Sequence, residues 1–315
     1  MRIVFFGTPE FAVASLDRLV KAGYNIAAVV TMPDRKGGRG NKIIESDVKK
    51  YAVANNLKLL QPEKLRAEDF LESLRTLNAD LFIVIAFRML PKVVWEMPRL
   101  GTFNLHASLL PQLRGAAPIN HAIINGFKET GVTTFLINEE FDKGNILLNE
   151  KVEIEADEDA GTLHDKLMEI GAELTLKTVK MLESGEIIPK PQPETETLFP
   201  APKIFKADCH IDFRNSRDNV HNKVRGLSPY PGGWAKLITE NGQEIEVKIL
   251  RTSKDLTLPV EVSLQSGEAY AKATRFYAGT ADGIIEILEL QPAGKKRMTA
   301  EAFLAGHKPK TFLNE

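Results

Sequence analysis

The chain has 315 residues, 43% of them hydrophobic and 26% charged, with a formal net charge of -1 at pH 7 and one cysteine. That length suits two domains, each with its own core, and near-neutral charge excludes a globally basic nucleic-acid binder, so contact with a polyanion must use local patches. A single cysteine excludes an internal disulfide, and the longest strongly apolar run, residues 81–87, is too short to span a bilayer, so a cytoplasmic protein is expected.

Residues 2–6 (RIVFF) read as a buried strand, Gly7 as the turn after it, Thr8 as the cap of a helix and Pro9 as its first position. One glycine stands there where a dinucleotide-binding turn needs three, which argues against NAD. Residues 25–30 and 80–87 are further continuous apolar strands, with helical segments near 48–55 and 65–77 between them. Such alternation predicts an α/β domain with a parallel-rich sheet and with ligands at the carboxyl ends of its strands. Between Met32 and Asn41 the chain packs Gly37, Gly38 and Gly40 among Arg35, Lys36 and Arg39, a cationic loop that by composition is equally a solvated one.

Residues 101–145 concentrate the chemistry. The β-type run 102–105 makes side chains two apart share a face, so Asn104 and His106 point together from its carboxyl end. Pro111 pushes Leu110 toward an extended conformation and turns the chain out of the sheet. Residues 116–125 read as a helix with Pro118 in its first turn, and the β-branched run 132–137 returns to deliver Asp142. An amide can stabilise an oxyanion, an imidazole can pass a proton, and a carboxylate can orient the imidazole. By residue type alone the same groups also suit a strand surface and a turn.

Residues 162–184 form a helix, with Thr162 as the cap and Gly185 as the stop. A proline-dense stretch from Ile188 to Lys206 reads as an extended linker. Beyond it, β-like runs at 234–239, 244–250, 268–274 and 283–290, with one helix at 219–226, suit a small barrel of the oligonucleotide-binding kind. The boundaries expected are 1–186 for the α/β domain, 187–207 for the linker and 208–315 for the barrel.

Taken together, Asn104-x-His106-x-Ser108-Leu109-Leu110-Pro111, Arg114-Gly115-Ala116-Ala117-Pro118-Ile119, Thr130-Gly131-Val132-Thr133 and Asp142-x-Gly144 resemble the folate-dependent formyltransferase family. Gly7-Thr8-Pro9-Glu10-Phe11 and Gln291-Pro292-Ala293-Gly294-Lys295-Lys296 extend the resemblance nearly end to end, and it is greatest to the branch acting on methionyl-tRNA. The resemblance implies a Rossmann-like formyltransferase domain followed by a C-terminal OB-like barrel. It implies that a formyl group passes from 10-formyltetrahydrofolate, as co-substrate, to the α-amine of methionine on initiator methionyl-tRNA. Asn104, His106 and Asp142 are then catalytic, and Phe87, Arg88, Met89, Leu90, Ser108, Leu109, Leu110, Pro111 and Asn138 shape the folate site. Arg88 departs from the pattern, because the family has glycine after the aromatic residue. Contacts to tRNA fall to Arg35, Arg39 and Lys42 in the cationic loop and to Lys203 and Lys206 in the linker. No metal is expected, since the histidines are scattered and Cys209 stands alone. Two rival readings are a formyltransferase acting on an amino-sugar nucleotide and a non-catalytic RNA-binding relative. The cationic loop, basic linker and barrel weigh against the first, and the Asn-His-Asp set weighs against the second.

Overall fold

Short apolar runs without alternation, bounded by turn signals, suit strands buried on both faces, and the first third of the chain alternates such runs with helices. The computed structural model describes residues 1–37, 42–256 and 263–313. In chain order its first part comprises β1 (Arg2–Gly7), α1 (Glu10–Lys21), β2 (Asn25–Val30), β3 (Arg35–Gly37), β4 (Lys42–Ile44), α2 (Asp47–Ala54), β5 (Leu59–Leu60), α3 (Glu68–Thr76) and β6 (Leu81–Ile85). There follow α4 (Lys92–Trp95), β7 (Thr102–His106), α5 (Pro118–Ile124), β8 (Glu129–Leu136), β9 (Ile146–Glu153) and α6 (Ala160–Ser184).

By packing the described chain forms two compact units, residues 1–115, 131–152 and 164–200 in one, and 116–130, 153–163 and 201–315 in the other. The first holds a sheet in the order β5-β2-β1-β6-β7-β8-β9. Strand β1 runs parallel to β2 and β6, β6 runs parallel to β7, and β7 is antiparallel to β8. Alternate side chains of the central strands, Val4, Phe6, Phe82 and Val84, are buried with Phe70, Leu71 and Leu74 from α3. Each such side chain removed from water contributes about 1.5–3 kcal/mol. Strand order reverses between β1 and β6, which puts the ligand crevice of an open α/β sheet at their carboxyl ends.

Several local expectations shift. Thr8 does not cap α1: Pro9 is the cap residue, and the Thr8 hydroxyl is buried with no hydrogen-bond partner among the described residues. At α6 the capping oxygen belongs to Asp159, which accepts the Thr162 N–H at 2.9 Å. The proline-dense stretch, expected to be extended, is fastened over its first half. Ile146 and Lys190 exchange backbone hydrogen bonds of 2.7 and 2.9 Å, and Leu113 donates to the Phe199 carbonyl at 2.7 Å, which fastens residues 190–199 to the first unit.

The second unit adds a 3-10 turn (Ala207–Cys209), α7 (Arg217–Leu227), β10 (Gly233–Thr239), β11 (Glu244–Ser253), β12 (Ala269–Lys272), β13 (Arg275–Gly279), β14 (Ile284–Pro292), β15 (Met298–Thr299), α8 (Ala300–Leu304) and β16 (Pro309–Leu313). Its antiparallel sheet runs β12-β13-β14-β11-β10-β16, and Phe312 donates to the Gly267 carbonyl at 2.6 Å, bringing the last strand back toward the first. This is the nearly closed barrel that the strand spacing suggests. The run 268–274 supplies one strand, β12, and the turn after it: Lys272 pairs with Arg275 at the start of β13, and Ala273 takes φ +54° at the turn. Phe213, Phe276, Phe303 and Phe312 stack in the barrel core with centroids 4.5–5.9 Å apart. Cys209 is buried there, and burial pushes its thiol up, so it is inert as a nucleophile.

His221 of α7 is buried against Thr252, with Nδ1 and Oγ1 3.0 Å apart, and burial together with the Arg225 charge lowers its pKa from 6.5. The unfolded chain therefore binds this proton first as pH falls. Stability is full above the unfolded value and is lost as pH drops through it toward the folded value. Calorimetric unfolding between about pH 7 and pH 5 should show a shallower loss of stability in His221→Gln than in the parent, by as much as about one proton's worth of slope. Identical slopes would remove His221 from the account.

Candidate active site

Strand β7 lies between β6 and β8, so its residues are fixed on both sides: Asn104 pairs with Val84 and Phe135, and His106 pairs with Thr133. The two side chains share a face at the strand's carboxyl end, as their spacing requires. His106 is 7% exposed, and its Nε2–H donates to the Leu113 carbonyl at 2.8 Å. That bond leaves Nδ1 as the ring nitrogen available for chemistry. Nδ1 faces Asp142, with Oδ2 at 3.9 Å, beyond hydrogen-bond reach but within ion-pair range of a protonated ring. Asn104 is half-buried, and its amide has no hydrogen-bond partner among the described residues.

Asp142 is itself held on several sides. Its backbone takes φ +53°, a left-handed conformation that Asp tolerates better than most residues, and the Gly115 N–H donates to its Oδ2 at 3.0 Å. Two residues on, a Cβ at Gly144 would lie 1.6 Å from the Leu136 carbonyl oxygen, so only glycine closes this turn. Gln192 donates from Nε2 to the carbonyls of Asp142 and Gly144 at 2.8 and 3.0 Å, while its Oε1 accepts from Arg114 Nε at 3.1 Å. Arg114 and Gln192 thus brace the backbone of the turn that carries this carboxylate.

Ser108 is fully buried; its hydroxyl donates to the Gln112 carbonyl at 2.7 Å, and its own carbonyl accepts from Thr133 at 2.7 Å. It shapes the 108–112 loop and has no hydroxyl hydrogen to spare. Leu90, Leu110 and Pro111 are buried as well, and Leu109 is half-buried. By contrast Met89 and Phe141 are 70% and 54% exposed, Phe87 is half-buried and Asn138 is exposed. Lys92 and Glu139 form an ion pair of 2.5 Å that ties the segment after β6 to the segment after β8.

Arg88, the departure from the family pattern, turns its side chain onto backbone. Its guanidinium donates to the carbonyls of Glu63, at 2.8 Å, and Pro62, and lies 5.6 Å from the Phe87 ring centroid. Burial and the charge of Arg35 lower its pKa. A side chain committed to the 62–63 backbone braces the loop from behind. Arg35 is exposed on β3, Arg39 lies outside the described residues, Lys42 begins β4, and Lys203 and Lys206 are exposed. Among the described residues no group of three or more His, Cys, Asp or Glu side chains is placed to hold a metal, and no helix is long and apolar enough to cross a membrane.

Residues 1–179 match the formyl transferase family and residues 203–308 match its C-terminal domain. The chain belongs to the formyl transferase family. It is 50% identical over 314 residues to a Parabacteroides distasonis protein named methionyl-tRNA formyltransferase, covering 98% of this chain and 96% of that one. A Bacteroides fragilis protein of the same name is 48% identical over 310 residues, covering 97% and 95%. Among solved structures, HypX from Aquifex aeolicus in complex with tetrahydrofolic acid shares the fold with a TM-score of 0.65 at 19% identity; 96% of this chain is covered and spans 47% of HypX.

Gln192 is the residue that sequence reading missed, because its partners lie about 50 positions away and its neighbours are prolines. Replacing it with alanine should slow formyl transfer on the order of 10- to 100-fold by loosening Asp142, with a near-parental melting temperature. Steady-state kinetics beside calorimetry checks this; an unchanged rate would make the brace irrelevant.

Proposed function

We infer that this protein transfers the formyl group of 10-formyltetrahydrofolate to the α-amine of methionine carried by initiator tRNA, giving formylmethionyl-tRNA for translation initiation in the cytoplasm. The observation that carries this reading is identity of 48–50% to proteins named methionyl-tRNA formyltransferase over nearly the whole chain, including the C-terminal barrel. Structures of sugar N-formyltransferases at about 20% identity share the fold alone and favour no second reading. In this reading the chemistry belongs to residues 1–186, and RNA contact to the segment 187–207, the barrel 208–315 and the cationic loop between Met32 and Asn41 of the first domain.

The residues present fit a flat bicyclic donor. Met89, Phe141 and Phe87 give apolar and aromatic surface on two segments that the Lys92–Glu139 pair ties together, and the irregular backbone near Ala86 leaves polar groups for a heterocycle. The donor supplies an activated formyl carbon, and the nucleophile is the substrate amine. A site whose Ser108 hydroxyl is committed to the Gln112 carbonyl suits that division.

As the amine adds to the formyl carbon, negative charge grows on the formyl oxygen. The free amide of Asn104 donates to that oxygen. The amine must lose a proton, and His106 takes it at Nδ1, because Nε2 is already occupied by the Leu113 carbonyl. The ring then carries a positive charge facing the Asp142 carboxylate at 3.9 Å, which stabilises it. Collapse of the adduct returns the proton to the departing folate nitrogen, so atoms and charges balance.

Asn104→Ala removes one oxyanion donor and should lower turnover on the order of 100- to 1000-fold, with little change in tRNA affinity. The reading itself is tested by incubating the protein with 10-formyltetrahydrofolate and methionine-charged initiator or elongator tRNA, then assaying formylmethionine. Formylation of the initiator species is expected; its absence would overturn the reading, and equal rates on both would remove initiator selectivity.

A further inference from the structure

The segment 201–210 leads into the barrel with its backbone fixed. The Asp208 carboxylate accepts the Phe205 N–H at 2.8 Å, and the Phe205 carbonyl accepts the Asp208 N–H at 3.0 Å and the Cys209 thiol at 3.3 Å. Cys209 is only 2% exposed, so this turn is anchored to the barrel core. The Phe205 ring is nonetheless 60% exposed. A single exposed apolar side chain needs no explanation of its own. What distinguishes Phe205 is its surroundings. The Lys203 ammonium lies 5.4 Å from its ring centroid, and Lys206, 76% exposed, places its ammonium 5.7 Å from the Trp234 ring. Trp234 is held by its Nε1–H, which donates to the Lys206 carbonyl at 2.8 Å, and by the His210 ring at 4.7 Å. Of the carboxylates nearby, Asp208 is engaged by the Phe205 N–H, and Glu246 approaches Lys206 at 3.7 Å.

Aromatic faces and ammonium groups therefore alternate on a stretch of chain that does not have to order itself on binding. Unpaired nucleotides demand that chemistry, because every base has a face to stack and every linkage carries a negative phosphate. Paired RNA offers no free base face, so an exposed ring gains nothing from a duplex. We propose that Phe205 is a stacking platform for one unpaired nucleotide of the RNA substrate, with Lys203 and Lys206 holding the flanking phosphates. This rests on the reading of the substrate as tRNA and names how that RNA is gripped.

Stacking and phosphate contact respond differently to salt, which makes the proposal testable. Affinity of the full-length protein for initiator tRNA is measured across a salt series for the parent, Phe205→Ala, Phe205→Trp and Lys203→Ala. Phe205→Ala should weaken binding on the order of 10-fold, by a similar factor at every salt concentration, because stacking releases no counterions. Phe205→Trp should restore affinity, and Lys203→Ala should instead flatten the dependence of log affinity on log salt by about 0.7–0.9. The melting temperature of Phe205→Ala should match the parent, since the ring lies mostly in solvent. Parental affinity in Phe205→Ala, or a loss that vanishes at high salt as with Lys203→Ala, overturns the platform while leaving the tRNA reading intact. A parent protein that binds no tRNA overturns both.

Discussion

The His106 imidazole is held on one side by a carbonyl and faced on the other by a carboxylate, and the rest of the first unit is arranged so that both are in place. The Leu113 carbonyl reaches Nε2 because residues 108–113 leave the sheet as a loop closed on itself by Ser108, Gln112 and Thr133. The Asp142 carboxylate reaches toward Nδ1 because the turn after β8 accepts a left-handed aspartate and a glycine at position 144. These distortions lie at the carboxyl end of a regular sheet, where the central strands are fully buried and offer a rigid base. A proton acceptor fixed by groups contributed from three chain segments needs little reorganisation when charge develops on it.

The parts of this arrangement legible in the sequence are those with a local period. The strands β1, β6 and β7 are unbroken apolar runs, and the same-side projection of Asn104 and His106 follows from a spacing of two. The formyl transferase family and the barrel were likewise readable, because motifs and turn spacing are properties of neighbouring residues. The less legible parts are non-local. Nothing near Arg88 indicates that its guanidinium will clamp the Pro62 and Glu63 carbonyls, and nothing near Gln192 indicates Asp142. The hairpin at Lys272–Arg275 escaped notice because its positive-φ residue is Ala273, where glycine or asparagine would have marked the turn. At α6 the capping side chain is Asp159 instead of the equally plausible Thr162, a shift of three residues that propensity alone does not decide.

Ser108 and Arg88 behave alike: both turn their polar atoms onto backbone carbonyls of the loops expected to shape the folate site. A pocket made of irregular backbone has carbonyls that must be satisfied from behind, and these side chains do it. Their effect on a ligand is then through the shape of residues 87–90 and 108–112, while exposed surface falls to Met89, Phe141 and Asn138.

The central claim is that His106 and Asp142 act as one proton-accepting unit, and a double-mutant cycle on turnover tests it most directly. Rates of formyl transfer are measured for His106→Asn, Asp142→Asn and the double variant under identical saturation. If Asp142 works only through the imidazole, the double variant is no slower than His106→Asn alone. Losses that multiply across the two sites would mean that the carboxylate acts on the substrate independently, and the account of a joint acceptor would be wrong.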